Sequence, residues 1–560
     1  MPPSKKVKTI DMKKTLKQFS LPVLFTVLLL SCHKIDLPVT SELTPDVFPK
    51  DSAQFIQTTG PAYVALRGNW ATEFFFQQCY STDEGIMPSY GGNWFDGGQN
   101  QQMHYHSWNR DNGYVNGNWT WLTTIVGTCN QALSILTANM PEGSMKRTSL
   151  AEMKMVRALA YFLLMDNYGN VPIVTTYGDF APKPNTPRAQ VFSFIESEVN
   201  AALPDLSTVN DITTYGRPTK WMGYTLLAKM YLNAQYYTGT AKWNECIAAC
   251  DAVISSGKFS LASMANYLQM FYPTNGPTSP GSREEFIFAI PFDATSTGFL
   301  GRSANYKARY DVPRAMGKVA AGAGYNYFNI PYVPGGPAAT LSEFYANFND
   351  PNDVRNKQWL TGLQFQPNGV TPITITTTNI GYNQFYTGPA PNAPYTFQLD
   401  LKPNIVLRQS AASFDVGNDE IAWTTGYRNI KFYPDATSTS RNQNNDIPVF
   451  RYSDVILMKA EAIARGGSAT AGQTALSLVN LLRAQRTTSA ALGSVTADDI
   501  YAERAREFAW EGWRRNDMIR YGKYEGTWGF KTNAETYRRI FPIPTNAFAV
   551  NSALTQNPGY

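Results

Sequence analysis

Two stretches of this chain have the pattern of paired amphipathic helices, and this pattern restricts the fold more than any other feature. Residues 220–259 and 451–486 each contain small residues where two helices would touch, then a short polar turn, then a second helix with Ala at the contact positions. Such pairs bury their apolar faces by stacking on neighbouring pairs, which builds a superhelix with a continuous core. The sequence therefore predicts a mostly helical scaffold of stacked, degenerate helix pairs.

Further segments carry apolar residues at intervals of three to four positions, which is the period of an amphipathic helix. These segments are residues 53–80, 117–138, 147–168, 188–203, 218–238, 241–256 and 498–512. The composition supports a large core, since 43% of the residues are hydrophobic and only 16% are charged. A chain of this composition is not intrinsically disordered.

Residues 275–445 differ from the helical parts because Gly, Pro, Asn and Thr dominate there. Short β-like runs occur at Glu285–Ile290 and Ile373–Thr377. The composition predicts a long, loop-rich insertion between two helical parts. Long ordered loops on a rigid scaffold are where binding residues usually lie, so we expect part of a ligand surface here.

The N-terminus has the pattern of an export signal. Residues 1–31 contain six Lys and one acid, and the apolar run Leu21–Leu30 is too short to span a membrane as a mature helix. Leu29-Leu30-Ser31-Cys32 looks like a bacterial lipobox, which predicts cleavage before Cys32 and lipidation of that residue. The alternative is an ordinary signal peptide with a chance cysteine, and either Met1 or Met12 is the start.

Together these features divide the chain into five segments. They are a lipoprotein signal peptide (1–31), a lipidated tether (32–52), an N-terminal helical-repeat part (53–274) that contains a loop region (81–116), the insertion (275–445) and a C-terminal helical part (446–560). Beyond residue 31 the chain is electrically neutral and has no basic run. A nucleic-acid partner is therefore not expected, because such proteins need a basic face.

Cysteine and histidine give little sign of metal or redox chemistry. Four cysteines follow the tether: Cys79, Cys129, Cys246 and Cys250. Cys246 and Cys250 are four residues apart on a predicted helix, which does not favour a direct disulfide, and we expect buried thiols there. His104 and His106 would share one face of a strand, but without a third ligand nearby we expect no metal and no cofactor.

Six stretches carry a family resemblance, in order along the chain. They are AEMKMVRALAYFLLMDNYGNVPIV (151–174), YGRPTKWMGYTLLAKMYL (215–232), NDIPVFRYSDVILMKAEA (445–462), ERAREFAWEGWRRNDMIRYG (503–522), FPIP (541–544) and QNPGY (556–560). With the lipobox in front, this ordered set resembles the SusD/RagB family of Bacteroidetes outer-membrane lipoproteins. The resemblance implies a right-handed α-superhelix with four helix pairs of tetratricopeptide type.

The same resemblance implies a function. It implies a non-catalytic lipoprotein that binds oligosaccharide or polysaccharide on the outer face of the outer membrane. The implied partner is a TonB-dependent outer-membrane transporter of the SusC type, to which the bound glycan is delivered. The residues after Cys32 only partly resemble the tag that directs such lipoproteins to the outer face.

The loop sequence DEGIMPSYGGNWFDGG (83–98) contains the best candidate for a sugar contact. Sugars offer flat C–H patches that stack on aromatic rings and hydroxyl rims that bond to polar side chains. Trp94 supplies the ring, and Asp83, Asn93 and Asn100 supply polar groups. The family resemblance assigns glycan contact to Asp83 and Trp94. The alternative is that Trp94 plugs the loop onto the helices.

The insertion would complete the binding surface, but no motif selects its residues. The candidates are Tyr310, Trp359, Arg408 and Tyr433, and also Tyr306, Tyr332, Tyr382 and Tyr386. Three other tryptophans, Trp108, Trp119 and Trp121, are predicted to be core residues.

Two other functions stay open. A surface glycoside hydrolase would use paired carboxylates such as Asp83-Glu84 or Glu284-Glu285, but adjacent residues rarely flank a glycosidic bond from opposite sides. H-E-x-x-H, G-x-S-x-G and P-loop motifs are absent from the sequence. The second alternative is a helical-repeat adaptor that binds a peptide or protein.

The predicted helix near residue 503 carries a regular row of charges. Glu503, Glu507 and Glu511 recur every four positions, and Arg506, Arg514 and Arg515 are placed to pair with carboxylates. This pattern predicts a structural ion-pair network.

Overall fold

The computed structural model describes residues 52–294, 305, 307–377, 395–408, 412–417, 422–438 and 441–560. The predictions for the leader, for Cys32 and for Tyr306, Tyr382 and Tyr386 lie outside these residues. Within the described part, no helix combines the length and the apolar character needed to cross a membrane.

The N-terminal part is built from helices that pack in sequence order. They are α1 (Ser52–Arg67), α2 (Glu73–Tyr80), α3 (Gln99–Tyr105), α4 (Gly113–Asn139), α5 (Ser144–Tyr168), α6 (Arg188–Ala202), α7 (Lys220–Leu232), α8 (Ala234–Thr238) and α9 (Trp243–Ile254). Helix α4 packs against α1 and α5, α5 packs against α6, and α7 packs against α9. The predicted helices of this part are confirmed, with 53–80 divided into α1 and α2.

Local signals account for several helix ends. The Asn112 side chain caps α4 by accepting hydrogen bonds from the backbone N–H groups of Tyr114 and Val115, and Thr219 caps α7 in the same way. Helix α5 ends at Gly169, whose φ of 72° is a left-handed value that glycine adopts without strain.

The remaining helices are α10 (Ser282–Glu285), α11 (Lys307–Asp311), α12 (Ser342–Tyr345), α13 (Tyr452–Ala464), α14 (Ala475–Arg483), α15 (Ala497–Glu507), α16 (Arg514–Arg520) and α17 (Thr545–Val550). Helices α13 and α14 pack as the hairpin expected in 451–486, and α13 also packs against α9 of the first hairpin. The fold is mostly helical, as predicted, and the two sequence hairpins are neighbours within it.

The strands are few and short. They are β1 (Phe286–Ile290), β2 (Trp359–Leu360), β3 (Gly362–Leu363), β4 (Thr374–Thr377), β5 (Tyr395–Gln398), β6 (Asp400–Leu401), β7 (Arg428–Asn429) and β8 (Ile447–Arg451). Strand β1 pairs antiparallel with β8, so the insertion leaves and rejoins the scaffold at adjacent strands. The other strands pair within the insertion as β2–β7, β3–β6 and β4–β5.

Most buried apolar residues form one large core shared by the N- and C-terminal helices. Trp108, Trp119 and Trp121 belong to it, as predicted, and so do the buried free thiols of Cys246 and Cys250. A smaller core lies inside the insertion. A third cluster, made of Tyr90, Val416, Ala422 and Trp423, lies under the loop that carries Trp94.

The charged row of α15 forms the predicted ion-pair network. Glu507 accepts hydrogen bonds from Arg355, Arg451 and Arg486, all of them fully buried. Glu511 pairs with Arg451 and with Lys431 of the insertion. The network therefore joins the insertion to the C-terminal part of the chain.

The histidine prediction is wrong in its geometry. His104 lies near the end of helix α3 and His106 caps that helix, so the two do not share a face of a strand. His104 Nε2 accepts a hydrogen bond from Phe530 N (3.1 Å), and His106 Nε2 contacts Ser81 O (2.8 Å). Burial lowers the pKa of His104 to about 3, so its imidazole is neutral and structural.

Candidate functional site

The loop between α2 and α3 has an unusual backbone. Gly91, Gly92, Gly97 and Gly98 all have positive φ, and so do Trp94 (65°) and Asp96 (47°). For a residue with a side chain, this left-handed conformation costs about 1–2 kcal/mol. Contacts elsewhere must therefore hold the loop in place, and Asp415 of the insertion makes most of them.

Asp415 is a buried carboxylate that fastens the base of this loop. Its oxygens accept hydrogen bonds from Gly91 N (2.9 Å), Gly92 N (2.8 Å) and Ser89 Oγ (3.0 Å). A fourth bond comes from Gly417 N (2.7 Å) on its own segment. Because a charged acceptor makes stronger hydrogen bonds than a neutral one, these four bonds fix the turn that leads to Trp94.

Trp94 is half-buried, and its contacts explain how it is oriented. Its ring meets Tyr310 edge to face with centroids 5.6 Å apart, and the Arg309 guanidinium lies 5.5 Å from the Trp94 centroid. The indole also lies against Gly335, where an added Cβ would come within 2.6 Å of Trp94 Cζ2. The insertion thus holds one part of the indole, and the rest of it faces solvent.

The tip of the loop is exposed on both sides of Trp94. Asn93 is exposed and donates from Nδ2 to Tyr90 O (3.2 Å), while Phe95 is 41% exposed. Tyr90 itself is buried and stacks on Trp423 with centroids 4.1 Å apart. Aromatic surface and amide groups therefore occur together at this tip, which suits a sugar ring and its hydroxyls.

Two predicted contacts from the loop region have structural roles instead. Asn100 is buried, donates to Trp94 O (3.3 Å) and accepts from the Tyr114 hydroxyl (2.6 Å), so it supports the loop from below. Asp83 forms a bidentate ion pair with Arg514, whose Nε and Nη2 donate at 2.7 and 2.6 Å. Both carboxylate oxygens of Asp83 are thus engaged with Arg514, and we correct the expectation for both residues.

The insertion candidates divide into three groups. Tyr310 contacts Trp94, as described above, and Arg408 joins the same region because its N–H donates to Asp415 O (2.8 Å). Tyr433 lies in a different aromatic group with Tyr272 (4.8 Å between centroids). Trp359 and Tyr332 are buried, and Trp359 packs edge-on against Phe348 (5.1 Å between centroids), so the expectation of ligand contact is corrected for these two residues.

Sequence reasoning missed Asp415, Arg309, Arg314 and Trp423. All four come close to the loop only through the folding of the insertion, and no local motif marks them. The one sequence signal was the loop-rich composition of 275–445, which indicates a ligand surface without selecting its members.

The carboxylates considered for hydrolysis are engaged in the scaffold. Glu84 is buried and accepts a hydrogen bond from Trp510 N, and burial raises its pKa to about 7. Glu285 is buried between Arg451 and Arg486. Neither these two carboxylates nor Asp83 forms a pair across an open cleft, which is the arrangement a glycosidase needs.

A cavity of about 1040 Å³ lies elsewhere, between α1 and α4. Its lining includes Val64, Gly117, Trp121 and Thr124, and none of the predicted binding residues.

Fold and site together define a class of protein: a mostly helical scaffold that presents aromatic rings and amide groups on a loop. A profile of the SusD family matches residues 284–560, and a related profile, described as starch-binding and associating with the outer membrane, matches residues 50–232. The chain belongs to the SusD/RagB family.

Known relatives agree with this assignment. The starch-binding protein SusD of Bacteroides thetaiotaomicron is 25% identical over 432 residues, which are 73% of this chain and 72% of that protein. The SusD-like protein P25 of Formosa agariphila is 24% identical over 442 residues, which are 73% of each chain.

Solved structures show the same fold. A laminarin-binding SusD-like protein superposes with a TM-score of 0.68 at 20% identity, covering 91% of this chain and all of its own. Surface glycan-binding protein A from Bacteroides thetaiotaomicron, solved with laminarihexaose, gives a TM-score of 0.66 at 19% identity over 91% of this chain and all of its own.

Proposed function

We propose that this protein is a non-catalytic glycan-binding protein that captures oligosaccharide or polysaccharide on the platform around Trp94. The observation that carries the proposal is the half-buried indole, which the insertion holds at the exposed tip of a left-handed loop. A protein that needed Trp94 only as a plug would have no use for the exposed Asn93 and Phe95 beside it. Asn93, Trp94, Tyr310 and Arg408 are the proposed contact residues.

The relatives support this choice of ligand class. The matched SusD of Bacteroides thetaiotaomicron is a starch-binding protein, and the structural neighbours include a laminarin-binding protein and a complex with laminarihexaose. Nothing in the geometry favours a hydrolase, because the carboxylates considered for that role are committed to ion pairs or buried. A peptide-binding adaptor has no specific observation in its favour.

Replacing Trp94 tests the proposal directly. In the full chain purified in detergent, Trp94→Ala should weaken binding of the best ligand on a glycan array by at least about tenfold, or about 1.4 kcal/mol, because a stacking surface is lost. The melting temperature should change little. Affinity is measured by titration calorimetry.

Phe180→Ala is the matched control, since it also removes an exposed aromatic ring, 91% exposed and outside the loop. It should leave glycan affinity unchanged. Unchanged affinity in Trp94→Ala together with a large drop in melting temperature would instead identify the indole as a plug.

The cellular setting is part of the proposal. We propose that lipidated Cys32 anchors the protein to the outer face of the outer membrane, with residues 32–52 as tether. The bound glycan would pass to a TonB-dependent transporter of the SusC type. The family description that mentions association with the outer membrane supports this setting.

A further inference from the structure

Two arginines beside Trp94 lack the partner that arginines usually have in this protein. The Arg309 guanidinium lies 5.5 Å from the ring centroids of both Trp94 and Tyr310. The Arg314 guanidinium lies 4.7 Å from the centroid of Trp423. Both side chains are half-buried, and among the residues that the structure describes neither forms an ion pair with a carboxylate.

Many other arginines of the fold pair with carboxylates. Six buried arginines each form an ion pair with at least one carboxylate: Arg355, Arg451, Arg486, Arg504, Arg514 and Arg520. The cations at the Trp94 platform rest on aromatic faces instead. An arginine stacked on a ring keeps its N–H edge free for a planar anion, which it binds through two parallel hydrogen bonds.

The backbone brings both arginines to one place. Gly335 N and Gly336 N donate to Arg309 O (2.8 and 3.0 Å), and an added Cβ at Gly336 would lie 2.9 Å from Arg314 N. The Trp94 indole packs on Gly335 of the same turn. The ring stack of Trp423 and Tyr90 connects Arg314 to the base of the loop.

Among the residues that the structure describes, the charges beneath the platform do not neutralise these cations. Arg428 is fully buried and donates to the carbonyl groups of Trp423, Thr425 and Gly426, so it adds another positive charge. Asp415 supplies one negative charge, which four neutral donors already solvate. Asp96, exposed at the loop tip, is the acid that would oppose an anionic ligand.

We propose that the platform selects acidic glycans, in which a carboxylate or a sulfate on the sugar pairs with Arg309 and Arg314 while the ring contacts Trp94. This inference rests on the proposed glycan-binding function and specifies its ligand class. Neutral glycans offer hydroxyls alone and leave both guanidinium groups without an anion.

The test compares charged and neutral ligands of equal length on the full chain in detergent. Hexagalacturonate supplies carboxylates, a sulfated carrageenan hexasaccharide supplies sulfates, and laminarihexaose is the neutral reference. We expect at least one acidic hexasaccharide to bind ten or more times more tightly than laminarihexaose. The acidic hexasaccharide that binds more tightly shows whether the platform recognises a carboxylate or a sulfate. Its affinity should fall with added salt, whereas that of a neutral ligand should not.

Substitutions at the two arginines test whether their charge causes the preference for acidic ligands, independently of any effect on folding. Arg309→Gln/Arg314→Gln should abolish the preference for the acidic ligand, and Arg309→Lys should retain part of it because the charge remains without the planar fork. Asp96→Asn should tighten acidic binding. Melting temperatures of all variants show whether they fold. The salt dependence of acidic-glycan affinity is measured on the wild type, so that test does not depend on any variant folding.

A glycan array containing neutral, uronic-acid and sulfated polysaccharides extends the test beyond three probes. Binding of neutral glycans alone, sensitive to Trp94→Ala, would overturn the acidic class while the glycan-binding function stands. Salt-independent binding, or an unchanged preference in the double variant, would also overturn it. Absence of binding to every glycan would refute both proposals.

Discussion

Asp415 is a single residue whose side chain sets the shape of a whole loop. The glycines it binds have no side chain to pack, and Trp94 and Asp96 adopt a costly backbone conformation. The hydrogen bonds that Asp415, a residue outside the loop, accepts from these glycines help to offset that cost. The conformation of Trp94 therefore depends on a residue more than 300 positions away in the sequence.

Asp415→Asn should loosen the loop. Asn has one acceptor oxygen in place of two, so at least one of the bonds from Gly91 and Gly92 is lost, and each bond to a charged group contributes about 1.5–3 kcal/mol. We expect faster hydrogen exchange in peptides covering residues 89–94 and weaker glycan affinity. Mass spectrometry measures the exchange without any ligand.

Asp435→Asn is the control for Asp415→Asn, because Asp435 is also buried and accepts hydrogen bonds from Thr437 and Asn444, away from the loop. It should not alter exchange in residues 89–94. Equal exchange in wild type and Asp415→Asn would show that the loop holds its own shape.

Glu84 should make stability depend on pH. Burial raises its pKa to about 7 in the folded protein, against an ordinary value of 4.5. Between these values the folded state holds a proton that the unfolded state has released, so stability falls as pH rises through this window. Glu84→Gln removes that loss, which is on the order of 3 kcal/mol.

Urea unfolding at pH 5 and pH 8 checks the Glu84 prediction. Glu84→Gln should be the more stable protein at pH 8 and nearly equal to wild type at pH 5. Glu142→Gln, at a side chain that is 85% exposed, should show no such difference. A variant that is less stable at pH 8 would mean that the buried carboxylate is stabilised by Arg514 and Lys307 more than burial destabilises it.

At the scale of elements, helix α15 holds the fold through its charges. Glu507 contacts arginines from three separate segments, and all of these groups are buried. A buried network of this kind specifies how segments assemble, since removal of one member leaves the remaining buried charges incompletely compensated.

Glu507→Ala should therefore destabilise the protein by about 3–5 kcal/mol, because Arg355, Arg451 and Arg486 lose a shared carboxylate in a dry environment. Chemical denaturation measures the change. Asp498→Ala on the same helix breaks only an exposed pair with Lys523 and should cost less than about 1 kcal/mol. Similar losses in both variants would show that the network contributes no more than surface charges do.

Helices were predictable from sequence, and their limits were set by local chemistry. Helix α4 was expected at 117–138 and occupies Gly113–Asn139, because the Asn112 cap adds a turn that apolar spacing does not reveal. The segment expected as one helix at 218–238 is divided at Asn233 into α7 and α8. Strand β1 was visible as an apolar run, whereas two-residue strands such as β2 have no sequence signal.

At the scale of the whole molecule, the binding platform was only partly predictable. Trp94 was identifiable because an indole between glycines has little to pack against nearby. Its neighbours Arg309, Arg314, Trp423 and Asp415 come from the insertion, and their positions depend on long-range folding that no periodic pattern encodes. Asn100 and Trp359 had suitable chemistry but are buried, and burial inside a loop-rich segment cannot be inferred from residue type.

A substitution at Cys32 tests whether a lipid anchors the whole protein to the membrane. A Cys32→Ser variant cannot accept the lipid, so after fractionation of the cells it should move from the membrane to the soluble fraction, because the proposed anchor is lost. Metabolic labelling with a palmitate analogue should mark only the wild type. Retention of Cys32→Ser in the membrane would remove the anchor from the proposal.

Because β1 pairs with β8, the chain enters and leaves the insertion at two adjacent strands of the scaffold. A different insertion joined at these two strands would change the contacts that Tyr310 and Arg408 supply, while Trp94 and Asn93 would stay on the helical scaffold. Such an exchange has a chemical requirement, because Arg355 and Lys431 of the insertion form ion pairs with Glu507 and Glu511 of the helical scaffold. An insertion without these two cations would remove one positive partner from each of these buried carboxylates, so the network favours insertions that carry matching cations.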